Sequence, residues 1–192
     1  MGKVIYLTGA PASGKSSTVQ LLAAADPGLL VWEYGARLTA YIQERNAALT
    51  QQDELRKHSA SIVTPEDIEK LDSMLLAFVS AHRSTRNIII DSHPVTKEVF
   101  GFRITPFSLE RIAHLAPDEI WMLYASAHST IDRITTNPAG RPTISEEEAT
   151  FHTSLQAAVA STYGIALGRA VHLFDSTLDR TALIARMQAR LS

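Results

Sequence analysis

The sequence predicts an α/β fold of three layers, a parallel sheet of five strands covered by helices on both faces. Three observations carry this reading. Short apolar runs alternate with helix-period segments along the chain. The run Asn87 to Asp91 (Asn-Ile-Ile-Ile-Asp) is β-branched, uninterrupted and too short for a helix. Helix starts are marked by cap residues rather than by turn clusters between hairpin strands. Strands that alternate with helices run parallel, because each helix returns the chain across a face, and such crossovers are right-handed.

The elements follow in order. Lys3 to Thr8 is a first strand, followed by a glycine loop and a helix from Lys15 to about Ala25, which Asp26-Pro27-Gly28 stops. Leu29 to Glu33 is a second strand, and Ala36 to Leu49 a helix with Leu38, Tyr41, Ile42 and Leu49 on one face. Thr50 to Val63 is polar and reads as loop or short helix. Thr64-Pro65-Glu66-Asp67 opens a helix that buries Ile68, Leu71, Leu75, Phe78 and Val79 and ends near Arg83. After the Asn87 to Asp91 strand, Ile120 to Tyr124 is a fourth. A helix around Ser129 to Thr135 leads to the turn Asn137-Pro138-Ala139-Gly140-Arg141-Pro142. Ser145-Glu146-Glu147-Glu148 is a capping box for a long helix that Gly168 can end. Val171 to Phe174 is a fifth strand, and a last helix carries Leu183, Ile184, Met187 and Leu191.

Composition narrows the chemistry. At 192 residues the chain suits one domain with a real core. A net charge of -2 leaves no electrostatic footprint for nucleic acid or an anionic membrane. Cysteine is absent, which excludes disulfides, thiolate catalysis and Cys-ligated zinc, and fits a cytoplasmic protein. No run approaches the length of a membrane span. The run Val4 to Leu7 passes straight into the glycine loop, unlike a secretion signal. The seven histidines are scattered and none shows HExxH spacing, so a metalloprotease is not indicated.

Gly9-Ala10-Pro11-Ala12-Ser13-Gly14-Lys15-Ser16 satisfies G-x-x-x-x-G-K-[ST], with Ser17 behind it. The pattern follows a predicted strand and opens a predicted helix, the setting that separates a phosphate loop from a chance glycine turn. A triphosphate concentrates negative charge, and successive backbone N–H groups with the positive end of a helix match it. Gly9 and Gly14 are expected where a Cβ would obstruct close approach. Lys15 is expected on the β and γ phosphates and Ser16 on Mg²⁺. Because the Lys15 charge belongs to the site, its removal is expected to spare the fold. Asp91, ending the most buried strand, is expected to orient Mg²⁺ directly or through water, although a strand-end carboxylate can also be simply solvated. The fold class is therefore a three-layer P-loop NTPase, with Mg²⁺ and ATP as the implied cofactors and nucleotides as small-molecule partners.

Phosphoryl transfer is mostly positioning and charge stabilisation, so arginines are expected over the γ phosphate. Arg133 and Arg141 flank the Asn137 to Pro142 turn, a short lid at about 133–145. On the acceptor side, at about 34–85, Arg37 and Arg56 are placed to clamp a monophosphate. His93, two residues past Asp91, is placed to touch phosphate or the attacking group, or to be a satisfied structural histidine.

The chain resembles the archaeal-type adenylate kinases, with nuclear adenylate kinases as more distant likenesses. The matching pieces are Val4 to Ser17 (VIYLTGAPASGKSS), Tyr34-Gly35, Asp53-Glu54-Leu55-Arg56-Lys57, Asp91-Ser92-His93 and the segment Arg141 to Tyr163. The resemblance implies reversible transfer between Mg-ATP and AMP, with Arg56 on the AMP phosphate, Arg133 and Arg141 as lid arginines, and self-association. The lid departs from the family, since Thr135-Thr136-Asn137-Pro138-Ala139-Gly140 is poor in charge.

Two other readings stay open. An AMP phosphate needs no base, whereas a hydroxyl acceptor gains from a carboxylate that takes its proton. Glu33, at the end of the second strand, is where deoxynucleoside kinases place one. The other is a nucleotide-gated switch or assembly factor that hydrolyses ATP to change its grip on a partner.

Overall fold

Successive side chains of the first strand, β1 (Val4–Thr8), point alternately into two apolar layers, and all five residues are buried. The computed structural model describes residues 2–45, 62–138 and 143–192. Arg56, with the Asp53 to Lys57 segment, and Ala139 to Pro142, with Arg141, lie outside the described residues.

The glycine loop joins β1 to helix α1 (Lys15–Ala25), and β2 (Leu30–Glu33) leads directly into α2 (Tyr34–Arg45). Helix α3 (Pro65–His82) precedes β3 (Ile88–Asp91). Then come β4 (Val95–Glu98), β5 (Gly101–Ile104), α4 (Leu109–Leu115), β6 (Glu119–Tyr124) and α5 (Ala127–Thr136). Helix α6 (Glu146–Leu167), β7 (Val171–Asp175) and α7 (Arg180–Leu191) complete the order.

The main sheet has the order β2-β3-β1-β6-β7, with every pairing parallel. Period-two alternation divides its side chains. Val4, Tyr6, Ile88, Ile90 and Ile120 face Leu71, Leu75 and Val79 of α3, Ile112 and Leu115 of α4, and Val159, Ala160 and Tyr163 of α6. Ile5, Leu7, Ile89, Trp121 and Leu123 face Val19 and Leu22 of α1, and Leu183, Met187 and Leu191 of α7. Both faces are thus covered, as a parallel sheet requires. A buried Leu such as Leu75 contributes about 1.5–3 kcal/mol over the exposed state.

The caps sit where the sequence puts them. Thr64 and Asp67 form a reciprocal capping box with Pro65 in the first turn, and Ser145 and Glu148 form another. Gly168 closes α6 in the left-handed region at φ 61°. The stretch between β3 and β6 is richer than the sequence reading. It holds an antiparallel hairpin, Val95↔Ile104 through Glu98↔Gly101, and the short helix α4.

Register sets up the site. Glu33 pairs with Asp91, and Asp91 with Leu7, so the carboxyl ends of β2, β3 and β1 finish in one row. Ligands in open α/β sheets bind outside these ends.

Candidate active site

The loop from Gly9 to Gly14 turns tightly, with the Ser13 amide donating to the Ala10 carbonyl at 3.1 Å. Gly9 is a steric necessity: a Cβ there would stand 2.3 Å from the Leu123 carbonyl oxygen of β6. Gly14 is required by its backbone rather than by its protein neighbours. A Cβ would meet nothing closer than 3.7 Å, but the backbone sits at φ 88°, which a side chain disfavours. Ala12 also adopts a positive φ, 60°, so the loop stores strain of the kind found at ligand clamps.

Helix α1 begins with no side-chain cap and no acidic residue in its first turn. Helices α3 to α7 each have one, from Thr64, Ser108, Ser126, Ser145 and Asp179. An uncapped N-terminus presents its first N–H groups outward, where they and the helix dipole favour an anion. Side-chain caps thus close α3 to α7, whereas the start of α1 stays open to an anion. The Ser13 hydroxyl, buried and without a hydrogen-bond partner among the described residues, adds a further polar atom at the loop.

Lys15 and Asp91 meet across this mouth. The ammonium lies 3.3 Å from Asp91 Oδ1, and the residues are only 4% and 6% exposed. A ring nitrogen of His93 stands 3.0 Å from the same ammonium. The Asp-x-His spacing therefore puts both side chains on the loop lysine. Asp91 Oδ1 makes this ion pair without hydrogen-bond geometry, and no other polar group among the described residues satisfies it. An interior carboxylate oxygen left in that state suits a cation that arrives with the nucleotide. Asp91 and the exposed Ser16 would hold Mg²⁺, which usually takes one or two protein ligands beside phosphates and water. That fits the absence, among the described residues, of any larger cluster of metal-ligating side chains. The loop amides and Lys15 would hold the phosphates of ATP.

The remaining candidates fall at various distances from this mouth. Glu33 is exposed in the strand next to Asp91. Arg37 is also exposed, with its guanidinium stacked 4.8 Å above the Trp32 ring. Ser17 donates its hydroxyl to the Gly14 carbonyl at 3.1 Å, a role within the loop. Arg133 lies against the loop: Nη1 donates to the Ala12 carbonyl and to Ser176 Oγ, each at 3.0 Å, and Nη2 donates to the Ser176 carbonyl at 3.1 Å. It thus buttresses the strained Ala12. Ser176, just past β7, was not singled out in the sequence, which offers no local signal for a contact between residues so far apart in the chain.

The fold and this mouth define an α/β protein of the P-loop class. A family model described as an AAA domain matches residues 8–150, and the chain belongs to that family. No curated protein matches it by sequence. Among solved structures, shikimate kinase from Acinetobacter baumannii in complex with shikimate is similar at a TM-score of 0.60 and 13% identity, over 100% of this chain and 94% of that one. A sugar kinase from Janibacter sp. HTCC2649 is similar at a TM-score of 0.57 and 14% identity, over 100% and 96%. Identities this low establish the fold, and they do not single out the adenylate kinases within it. No helix among the described residues is long and apolar enough to cross a membrane.

Proposed function

We propose that this protein is an ATP-dependent phosphotransferase that phosphorylates a small molecule bound in front of Glu33 and Asp91. The observation that carries this is the Lys15 ammonium held between Asp91 and His93 beside an uncapped helix start. Lys15 would follow the charge of the transferring phosphoryl group, a preorganised interaction that needs no rearrangement at the moment of reaction. Mg²⁺, when bound, supplies charge neutralisation on the phosphate oxygens.

The acceptor we favour is a hydroxyl. Glu33 is exposed and in register with Asp91, where a carboxylate can take the proton as the acceptor oxygen bonds to the γ phosphorus and the bond to the ADP leaving group breaks. The neighbours named for sugar and shikimate kinases are in keeping with this acceptor class.

A second reading is transfer to a nucleoside monophosphate, AMP first, as the resemblance to adenylate kinases implies. The placement of His93 on Lys15 favours it, because the Asp-x-His pattern belongs to that resemblance. Arg37, stacked on Trp32 of β2, is then the residue we assign to its phosphate.

One panel separates them: purified protein, Mg-ATP, and a set of sugars, shikimate, nucleosides and nucleoside monophosphates, with products resolved by chromatography. A phosphorylated hydroxyl compound whose formation collapses in Glu33→Gln supports the first reading. ADP from AMP plus ATP, undiminished in Glu33→Gln, replaces it with the second. ATP hydrolysis with no phosphorylated product overturns both and leaves the nucleotide-gated switch.

A further inference from the structure

Four polar groups in the deepest part of the molecule take no part in the site described above. Thr8, the last residue of β1, donates its hydroxyl to Gln156 Oε1 at 2.9 Å. Gln156 Nε2 donates to the Val95 carbonyl at 3.3 Å, and His152 Nε2 donates to the same carbonyl at 3.1 Å. Thr8 and Gln156 are 0% exposed, Val95 1% and His152 2%. A buried carbonyl that collects two side-chain donors from one helix is a costly arrangement to assemble, since each group must be desolvated and oriented.

Position gives the arrangement its meaning. Thr8 immediately precedes Gly9 of the phosphate loop, and Val95 lies two residues beyond His93. Gln156 therefore spans from the root of the loop to the segment that carries Asp91 and His93. Helix α6 grips the hairpin beyond Val95 as well. Glu148 pairs with Lys97 at 3.0 Å, and the His152 ring meets the Phe102 ring edge-on at 5.0 Å. Burial keeps the His152 imidazole neutral, so its Nε2 carries the one ring proton that Val95 needs.

We infer that Gln156 and His152 are positioning residues, which fix the Asp91–His93 segment against Lys15 by anchoring the Val95 carbonyl and the Thr8 hydroxyl to one helix. Neither touches the reacting atoms. Their effect is on the distance and angle at which Asp91 and His93 hold the ammonium, and small displacements of such a group cost rate. The inference rests on the phosphotransferase reading for its effect on turnover, but not for its effect on the segment.

The test uses Gln156→Leu, Thr8→Val/Gln156→Leu and His152→Phe in the full chain. Removing both partners of a buried hydrogen bond with apolar groups of like shape is nearly neutral for stability, whereas removing one is not. The double variant should thus regain most of the melting temperature lost in Gln156→Leu. It should still show kcat about tenfold or more below the starting protein. Independently of any acceptor, the amides of Ser92 and Thr105, which bond to the Leu7 and Pro94 carbonyls, should exchange with solvent about tenfold faster in Gln156→Leu and His152→Phe. Wild-type exchange rates in the folded variants would overturn the inference, and so would wild-type kcat in the double variant. Absence of transfer in the starting protein would overturn the phosphotransferase reading alone, and the exchange rates would still decide this one.

Discussion

The Lys15 ammonium and the Asp91 carboxylate form an ion pair at 3.3 Å inside the mouth of the phosphate loop, with both residues almost sealed from water. Two charges so placed attract strongly, but each has given up its hydration, and the pair is stable only while both members remain. The lysine is therefore part of the fold as well as of the site, contrary to the expectation that its removal spares the structure. A polyphosphate entering the loop offers the ammonium a second set of anionic partners.

Lys15→Ala accordingly loses on two counts. Transfer should fall by about two orders of magnitude or more, the scale of a lost preorganised charge contact. Stability should fall by about 3–5 kcal/mol, because Asp91 keeps a buried charge without its partner. Lys15→Ala/Asp91→Asn should recover stability but not activity, which urea unfolding and a coupled transfer assay would read separately.

The two loop glycines should respond unequally. Gly9→Ala forces a Cβ to within 2.3 Å of the Leu123 carbonyl, so β1 and β6 must separate or the loop must shift. Gly14→Ala meets no close atom and costs only the backbone strain of a left-handed residue, about 1–2 kcal/mol. Thermal melts should rank Gly9→Ala well below Gly14→Ala. A larger loss in Gly14→Ala would contradict this account of the loop.

His152 gives the fold a pH dependence of predictable sign. Burial lowers its pKa, the hydrogen bond to Val95 opposes this, and the Lys15 and Lys97 ammoniums add to the lowering. The unfolded chain takes up a proton near the ordinary value of about 6.5 while the folded chain does not. The neutral-state stability is thus complete above that pH and declines as pH falls toward the folded pKa, by up to about 1.4 kcal/mol per unit. Urea titrations between about pH 5.5 and 7.5 should show a steeper acid loss in the native protein than in His152→Phe.

Much of the architecture was legible because its signals are local. The Ile88-Ile89-Ile90 run, the Ser145 capping box and the glycine loop each declare their structure within a few residues. The hairpin escaped for the opposite reason. Val-Thr-Lys-Glu and Gly-Phe-Arg-Ile are four-residue strands of mixed polarity around an exposed Val99-Phe100 turn, and no period can be read over so short a span. Helix α4, at seven residues, is equally brief. In the candidate site, Lys15, Asp91 and His93 were singled out from the sequence, and the structure brings the three side chains together. Ser176 beneath Arg133 and Gln156 beneath Thr8 were not, since side-chain contacts across more than 40 residues of chain leave no pattern in sequence.

The most direct measurement is calorimetric titration of the purified protein with ATP and with other common triphosphates, each with and without Mg²⁺. The account predicts magnesium-dependent binding heat for at least one triphosphate, sharply weakened in Lys15→Ala/Asp91→Asn once its urea unfolding shows that the fold is kept. Heat of the same size in that variant, or none with any triphosphate, would contradict the assignment of the loop between β1 and α1 as a polyphosphate grip.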